Sequence, residues 1–306
     1  MSEILPDHEV AAIVSAYREL DPEGTLTARV LRDTIDQLYD GQRTGRYRWS
    51  QLYKTEKTHC GTLVEINLQR KFDFGNGEVL DYKIAGIEVD CKFSQDWCRW
   101  TIPPEAFDQV CIVAWADDSV SPTWSLGVVR MRKCWLNIGK NRDSKVSLKS
   151  EHRNQIHWLW DRAPLPPNIL VQMGDRIVDK IMSSHFGTQR TNELFRQALG
   201  IIVSRNIVAT VDRGDDYMKR VRGNGGARTS LKPEGIVILG QYSLHTAIAV
   251  ALGLPVPGPG DSISVRLVPA DPGPGVVEIS GSFWRIADPN DPKVCAPDLP
   301  KIPKSP

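Results

Sequence analysis

The sequence predicts an α+β chain of two domains, and three observations carry that reading. Apolar residues at three-and-four spacing open the chain in "PDHEVAAIVSAYREL" and "TLTARVLRDTIDQLY", the mark of amphipathic helices. Alternating or continuous apolar runs follow in "VLDYKI", "IEVDCKF", "QVCIVAWAD" and "TWSLGVVRM", which read as strands of one sheet. "RAPLPPN" then places three prolines within four residues, a stiff and non-helical break. A length of 306 residues suits two domains. We set the first at residues 1–160, the Pro-rich linker at 161–168, the second domain at 169–290 and a frayed Pro-rich tail at 291–306.

Taken in order, Thr25 or Thr27 is placed to cap the second helix. A loop bearing Gly and Arg, "YDGQRTGRYRWSQLYKTEKTH", leads to "TLVEINLQ". That string fits a strand by alternation and a helix through Val64 and Leu68, so the direction of Glu65 stays open. After the two apolar strands, "SLKSEHRNQIHWLWD" reads as helical. Beyond the linker, "TQRTNELFRQALG" is an amphipathic helix ended by Gly200, and "IVATVDR" is a short apolar run. "EGIVILG", an Ala-rich helix after "QYS", and the strand-like "SISVRLV" and "VVEISGSFWRIA" complete a small α+β domain.

Lys and Arg number 38 against 37 Asp and Glu, a balance that argues against a wholesale polyanion binder and leaves room for a local basic surface. The six cysteines form no Cys-x-x-Cys pair and meet no His pair at zinc spacing, which points to a reduced, cytoplasmic setting. "MSEILPDHEVAAIV" lacks the features of a signal peptide, and no window reaches the length of apolar chain that spans a membrane.

The stretch "GEVLDYKIAGIEVDCKFS" sets charge beside hydrocarbon. As a hairpin turning at Ala85 and Gly86, it sends Leu80, Tyr82, Ile84, Ile87, Val89, Cys91 and Phe93 to a core. Asp81, Lys83, Glu88, Asp90 and Lys92 take the other face. Position 84 then pairs with 87, 83 with 88, 82 with 89 and 81 with 90. Directly opposed residues have Cβ atoms ~5 Å apart, so Asp81 against Asp90 needs compensation. A divalent cation between the two carboxylates supplies it, with Lys92 projecting beside that site. Lys83 with Glu88 also reads as a plain surface ion pair, and a register slip removes the opposition altogether. A second Asp-x-Lys, Asp143 and Lys145, has no apolar alternation around it and reads as a polar loop.

"LYDGQR" matches a nucleotidyl-transfer motif except that Leu38 stands where the lysine nucleophile belongs, so no covalent adenylyl intermediate can form there. Phosphate loops of the Walker type, a Gly-x-Ser-x-Gly elbow and His-Glu-x-x-His are missing from the sequence. In the second domain, "DDYMKRVRGNGGARTSLKPEG" brings Lys219, Arg220, Arg222 and Arg228 together with Gly223, Gly225 and Gly226. Cations and close-approach glycines suit a nucleic-acid backbone, although a solvated helix end accounts for the same residues. An acidic cluster with a lysine, joined to a basic module, fits metal-assisted phosphodiester hydrolysis.

The acid-acid-x-lysine arrangement resembles the P-D…(D/E)-x-K nuclease superfamily, with Leu80 in place of the initial Pro. Longer strings resemble the NaeI-type restriction endonucleases: "DQLYDG", "GRYRW", "QLYKTEKTHCGTLVEINLQR", "EVDCKFSQ", "IPPEA", "NRDSK", "APLPPN", "NELFR" and the "DDYMKRVR" region. They run from about residue 30 to 230, with a looser likeness to about 270. The resemblance implies a restriction-endonuclease-like nuclease core with a mixed sheet, followed by a winged-helix DNA-binding domain related to the catabolite activator protein. It implies a type IIE enzyme: a homodimer on double-stranded DNA that binds a second copy of its site as effector before cutting the first. It further implies Mg2+ as cofactor, with Asp81 and Asp90 as its main ligands, Glu65 as a supporting carboxylate and Lys92 as water-positioning base or charge stabiliser. Lys219, Arg220, Arg222 and Arg228 are the expected DNA contacts, and GCCGGC the expected palindrome. A DNA-binding protein without cleavage and a nicking enzyme of the MutH kind are the competing classes.

Overall fold

The computed structural model describes residues 7–137, 146–222 and 225–300. The chain forms two units, one of residues 1–39 and 48–168, the other of residues 40–47 and 169–306. Asp143 and Lys145 lie outside the described residues, as does Gly223.

The first unit opens with α1 (His8–Leu20) and α2 (Thr25–Tyr39). Asp7 caps α1, accepting the Val10 N–H at 3.2 Å. The cap of α2 is neither threonine: Asp21 accepts the N–H groups of Leu26 and Thr27 at 3.2 and 2.8 Å. Thr27 lies inside the helix and gives its hydroxyl to the same carboxylate at 2.7 Å. A one-turn helix, α3 (Gly41–Thr44), groups with the second unit. It follows Asp40, whose left-handed backbone (φ 45°) ends α2, so "LYDGQR" is the end of one helix, a break at Asp40 and the start of the next. Next comes α4 (Lys54–Phe72), which settles Glu65 on a helix.

Six strands make one mixed sheet: β1 (Gly75–Asn76), β2 (Tyr82–Ile84), β3 (Ile87–Ser94), β4 (Val110–Asp117), β5 (Thr123–Arg130) and β6 (His157–Pro164), in sequence order across it. Every neighbouring pair is antiparallel except β3 with β4. The hairpin register is the expected one, pairing Tyr82 with Val89, Lys83 with Glu88 and Ile84 with Ile87. Ala85 and Gly86 both take positive φ (50° and 79°), the geometry of a type I′ turn, which Ala adopts at a cost and Gly freely.

Alternation along the strands divides the sheet into two faces. Val89 and Cys91, Ile112 and Ala114, and Leu126 and Val128 pack with Ile13, Tyr17, Leu31 and Leu68 of the helices. Cys111, Val113, Trp115 and Val129 face a second layer that includes Trp100, Ile102, Trp135 and Leu148. The segment read as a helix, "SLKSEHRNQIHWLWD", is a 3₁₀ turn over Ser150–Gln155 followed by β6. Trp158, Leu159 and Trp160 carry no helical stripe; they add a strand to the edge of β5. That strand continues through Pro164, so residues 161–164 of the expected linker belong to the sheet.

The second unit holds α5 (Ile169–Gln172), α6 (Asp175–Met182), α7 (Gly187–Gln197), β7 (Ile202–Val203), α8 (Arg205–Asp212), α9 (Ala227–Ser230), β8 (Ile236–Gly240), α10 (Ser243–Ala251), β9 (Ser262–Pro269), β10 (Val276–Ile279) and β11 (Ser282–Ile286). Its antiparallel sheet runs β10-β11-β9-β7, and β8 also pairs with β9. One core gathers Val178, Leu194, Phe195, Val208 and Ile238; another gathers Leu239, Ile248, Val265, Leu267 and Trp284. Residues 291–300 of the expected tail are not frayed. Ala296 is buried at 3% exposure, and its N–H donates to Lys232 O at 2.8 Å. Lys232 Nζ in turn meets Asp298 at 2.5 Å.

Candidate active site

The short β2 brings Asp81, the residue just before it, to the middle of β3. There Asp81 Oδ2 accepts the backbone N–H of Cys91 at 2.7 Å. Asp90 and Lys92 flank Cys91 and point the opposite way from it, because strand neighbours alternate. Lys92 Nζ sits between the two carboxylates, 2.6 Å from Asp90 Oδ1 and 3.7 Å from Asp81 Oδ2. It also reaches Cys91 O at 3.1 Å. The opposition anticipated for Asp81 and Asp90 is therefore spanned by the lysine.

Burial sets the electrostatics. Asp90 is 3% exposed, and that loss of water pushes its carboxyl up to about 6. Lys92 opposes the rise, while the charge and hydrogen bond of Asp81 add to it. Lys92 is held above the usual lysine range: burial acts against its charge, and Asp90 and then Asp81 outweigh burial. Glu65 is also raised, first by burial and next by Asp81, with Asp90 adding and Lys92 opposing. The four expected residues thus sense one another in one cluster. Tyr82 helps fix the helix that carries Glu65, donating its buried hydroxyl to Glu65 O at 2.7 Å.

Two residues make positioning contacts that the sequence did not assign to them. Glu88 does not pair with Lys83, which instead meets Glu78 at 3.4 Å. Its carboxylate accepts the backbone N–H groups of Glu78, Val79 and Leu80, and so holds the loop that delivers Asp81. Cys111, buried on β4 in register with Asp90, points its Sγ at Asp90 Oδ2 from 3.7 Å. The parallel pairing of β3 and β4 was the missing signal for Cys111; for Glu88 it was the backbone path of residues 78–80.

Hard carboxylate oxygens suit a cation such as Mg2+, which takes one or two carboxylates and completes its shell with water and phosphate oxygens. Among the described residues no three His, Cys, Asp or Glu side chains already form a metal-holding group. Asp81 and Asp90, with Lys92 between them and Glu65 within electrostatic reach, are the carboxylates whose chemistry suits such an ion.

The basic residues of the second unit are not equivalent. Lys219 and Arg220 lie on a 3₁₀ turn (Tyr217–Val221), where Lys219 pairs with Asp216 at 2.6 Å and Arg220 with Asp212 at 3.7 Å. Arg222 follows, exposed. A Cβ at Gly226 would stand 2.4 Å from Arg222 O, so only glycine lets the chain double back there. Arg228, on α9, turns inward and donates to Ile238 O at 2.8 Å.

The family model described as restriction endonuclease NaeI matches residues 11–295. The type II restriction enzyme NaeI of Lentzea aerocolonigenes is 47% identical over 305 residues, covering 97% of this chain and 96% of that protein. Fold and matches together define a type II restriction endonuclease, a site-specific deoxyribonuclease whose substrate is DNA. The chain belongs to the NaeI restriction endonuclease family. Among the described residues no helix is long and apolar enough to cross a membrane.

Proposed function

We propose that this chain makes Mg2+-dependent double-strand cuts in a GC-rich palindrome such as GCCGGC, with Glu65, Asp81, Asp90 and Lys92 as its catalytic set. The observation that carries this is Lys92 Nζ lying between Asp90 and Asp81. Asp81 and Asp90, supported by Glu65, are the residues to hold the ion. When bound, Mg2+ supplies activation of a water and neutralisation of charge at phosphorus. Lys92 enters as an ammonium, since its neighbours raise its pKa. That favours charge stabilisation, or holding the attacking water by donating a hydrogen bond to it, over proton abstraction. Cys91 N–H fixes the free direction of Asp81 by taking one of its oxygens.

The second unit is proposed as a winged-helix DNA-binding domain that takes the effector copy of the site. Its order supports this: α7, β7, α8, α9, β8 and then β9, with β9 pairing both β7 and β8. Lys219, Arg220, Arg222 and Arg228 are its proposed DNA contacts. A palindrome has two-fold symmetry, so a homodimer brings one catalytic cluster to each strand.

Digestion of an unmethylated plasmid carrying several GCCGGC sites tests the reading, with Asp90→Ala, Lys92→Ala and a Ca2+ reaction alongside. Discrete double-strand fragments ending within the palindrome, lost in both variants, are expected. Variants that cut as well as the unaltered protein would remove the hairpin assignment. A specific shift without cutting would indicate a binding protein, and single-strand nicks an enzyme of the MutH kind.

A further inference from the structure

His245 lacks the partner that a buried polar group normally finds, and Arg228, a half-buried residue lining the same cavity, makes no ion pair among the described residues. The guanidinium of Arg228 donates through Nε to Ile238 O. Burial holds it below the usual arginine range, and no carboxylate contributes to its electrostatics. His245, on α10, is 2% exposed. Its Nδ1 accepts the Gly240 N–H at 3.2 Å, which leaves the ring proton on Nε2, and Nε2 is buried without a hydrogen-bond partner. Burial and then the charge of Arg228 hold the imidazole down to about 4, so at neutral pH it is an uncharged donor.

Both side chains line one cavity of about 400 Å³. Ile236 and Ile238 of β8 form one wall, and Pro297 and Leu299 of the packed C-terminal segment form another. The remaining charged groups of the lining, Lys232 and Asp298, are paired with each other at 2.5 Å. The uncompensated charge of the cavity is therefore that of Arg228. Native proteins leave few buried donors unpaired, and His245 Nε2 is such a donor beside the half-buried guanidinium. A missing anion explains both residues at once.

We infer that this cavity is an anion site whose ligand is a phosphate group, held by the free Nη groups of Arg228 and by His245 Nε2–H. A guanidinium offers parallel donors to phosphate oxygens, and the apolar walls accommodate the carbon part of a phosphate ester. DNA, the substrate of this enzyme class, carries that group on every nucleotide. The phosphate comes from the DNA backbone or from a small phosphate ester, and only the first source rests on the second unit being a DNA-binding domain.

The full-length protein in EDTA is titrated with inorganic phosphate, with deoxyguanosine monophosphate and with a duplex lacking the palindrome, against sodium chloride of equal ionic strength. Calorimetry and thermal melting are the readouts. Arg228→Gln is expected to weaken binding by about tenfold or more, the size of a lost charge-assisted contact. Arg228→Lys, which keeps a cation in the cavity, should retain part of the affinity. Phosphate and the nucleotide binding in an Arg228-dependent way supports the small-ligand source. An Arg228-dependent response to duplex alone, with a salt slope smaller by about one, supports the backbone source. No response beyond chloride, or equal responses in all three proteins, overturns the inference. Should Arg228→Gln fail to fold, Arg228→Lys and His245→Phe carry the same comparison. None of these readouts involves cleavage, so failure here and failure of the catalytic set are told apart.

Discussion

Asp81 accepts the backbone N–H of Cys91 at 2.7 Å, tying the start of one strand to the residue between Asp90 and Lys92 on the next. One oxygen of Asp81 is committed to that bond, and Lys92 Nζ stands 3.7 Å from the same oxygen. If this is the catalytic cluster, Lys92→Ala removes its only ammonium and lowers single-turnover cleavage about 10²–10⁴-fold, the range of a positioned proton-transfer or charge-bearing group. Specific binding in Ca2+ should survive. Asp81→Asn should lose cleavage too, because its amide can neither neutralise a cation nor accept as strongly from Cys91. A rapid-quench assay with a gel-shift assay beside it distinguishes the two effects.

Asp90 provides a prediction in pH. Its folded-state carboxyl, pushed up to about 6, takes a proton that the unfolded chain would release until near 3.8. Its ionisation therefore opposes folding, with the cost appearing as pH rises from about 4 to about 6 and fully present above. Metal binding requires the ionised form. Affinity of the protein for Mn2+, used as a probe, should hold above pH 6 and fall about tenfold per unit below it. Titration calorimetry from pH 5 to 7.5 checks this; an affinity flat down to pH 5 would show that Asp90 does not limit the site.

Much of this arrangement was legible in the sequence, because a period of two in one hairpin fixes both register and face. Tyr82, Val89 and Cys91 went to the core and Asp81, Asp90 and Lys92 to the charged side on that ground alone. Glu65 was legible only as a residue near the site, since Val64 and Leu68 fit both a strand and a helix. Residues 157–160 misled for a different reason: they were joined to the polar stretch before them, while their pairing with β5 is a long-range choice that no local pattern records. Asp21 was passed over as a cap because its carboxylate reaches forward across a four-residue gap. The tail misled through composition: its prolines suggest frayed chain, while Val294, Ala296 and Leu299 among them pack into the second unit's core.

Arg32 and Asp118 form a buried pair, with Nη1 2.5 Å from Oδ1 and side-chain exposures of 7% and 0%. Asp36 shares the guanidinium at 2.6 Å, and Tyr39 donates to Asp118 at 2.6 Å. Asp118→Ala leaves Arg32 with Asp36 alone and takes away the acceptor of the buried Tyr39 hydroxyl, and should cost the first unit about 3 kcal/mol, the lower end for a broken buried pair. Asp118→Asn keeps an acceptor for both and should cost less. Urea unfolding followed by tryptophan fluorescence measures the difference, and an Asp118→Ala midpoint equal to the parent's would mean that the pair contributes nothing net.

The packed C-terminal segment gives the last prediction. Val294 and Leu299 lie against the core that holds Trp284 and Val265, and the Ala296 amide is bonded to Lys232 O at the start of the turn before β8. A frayed tail would exchange its amides at the rate of an open chain. Here the Ala296 amide should be protected as strongly as neighbouring strand amides, because opening it exposes apolar surface as well as breaking the bond. Replacing Leu299 by Asp places a charge against that wall and should abolish the protection while leaving exchange in β3 and β4 unchanged. Hydrogen exchange read by mass spectrometry on peptides spanning residues 291–300 decides it; rapid exchange there in the unaltered protein would detach the segment from the second unit's core.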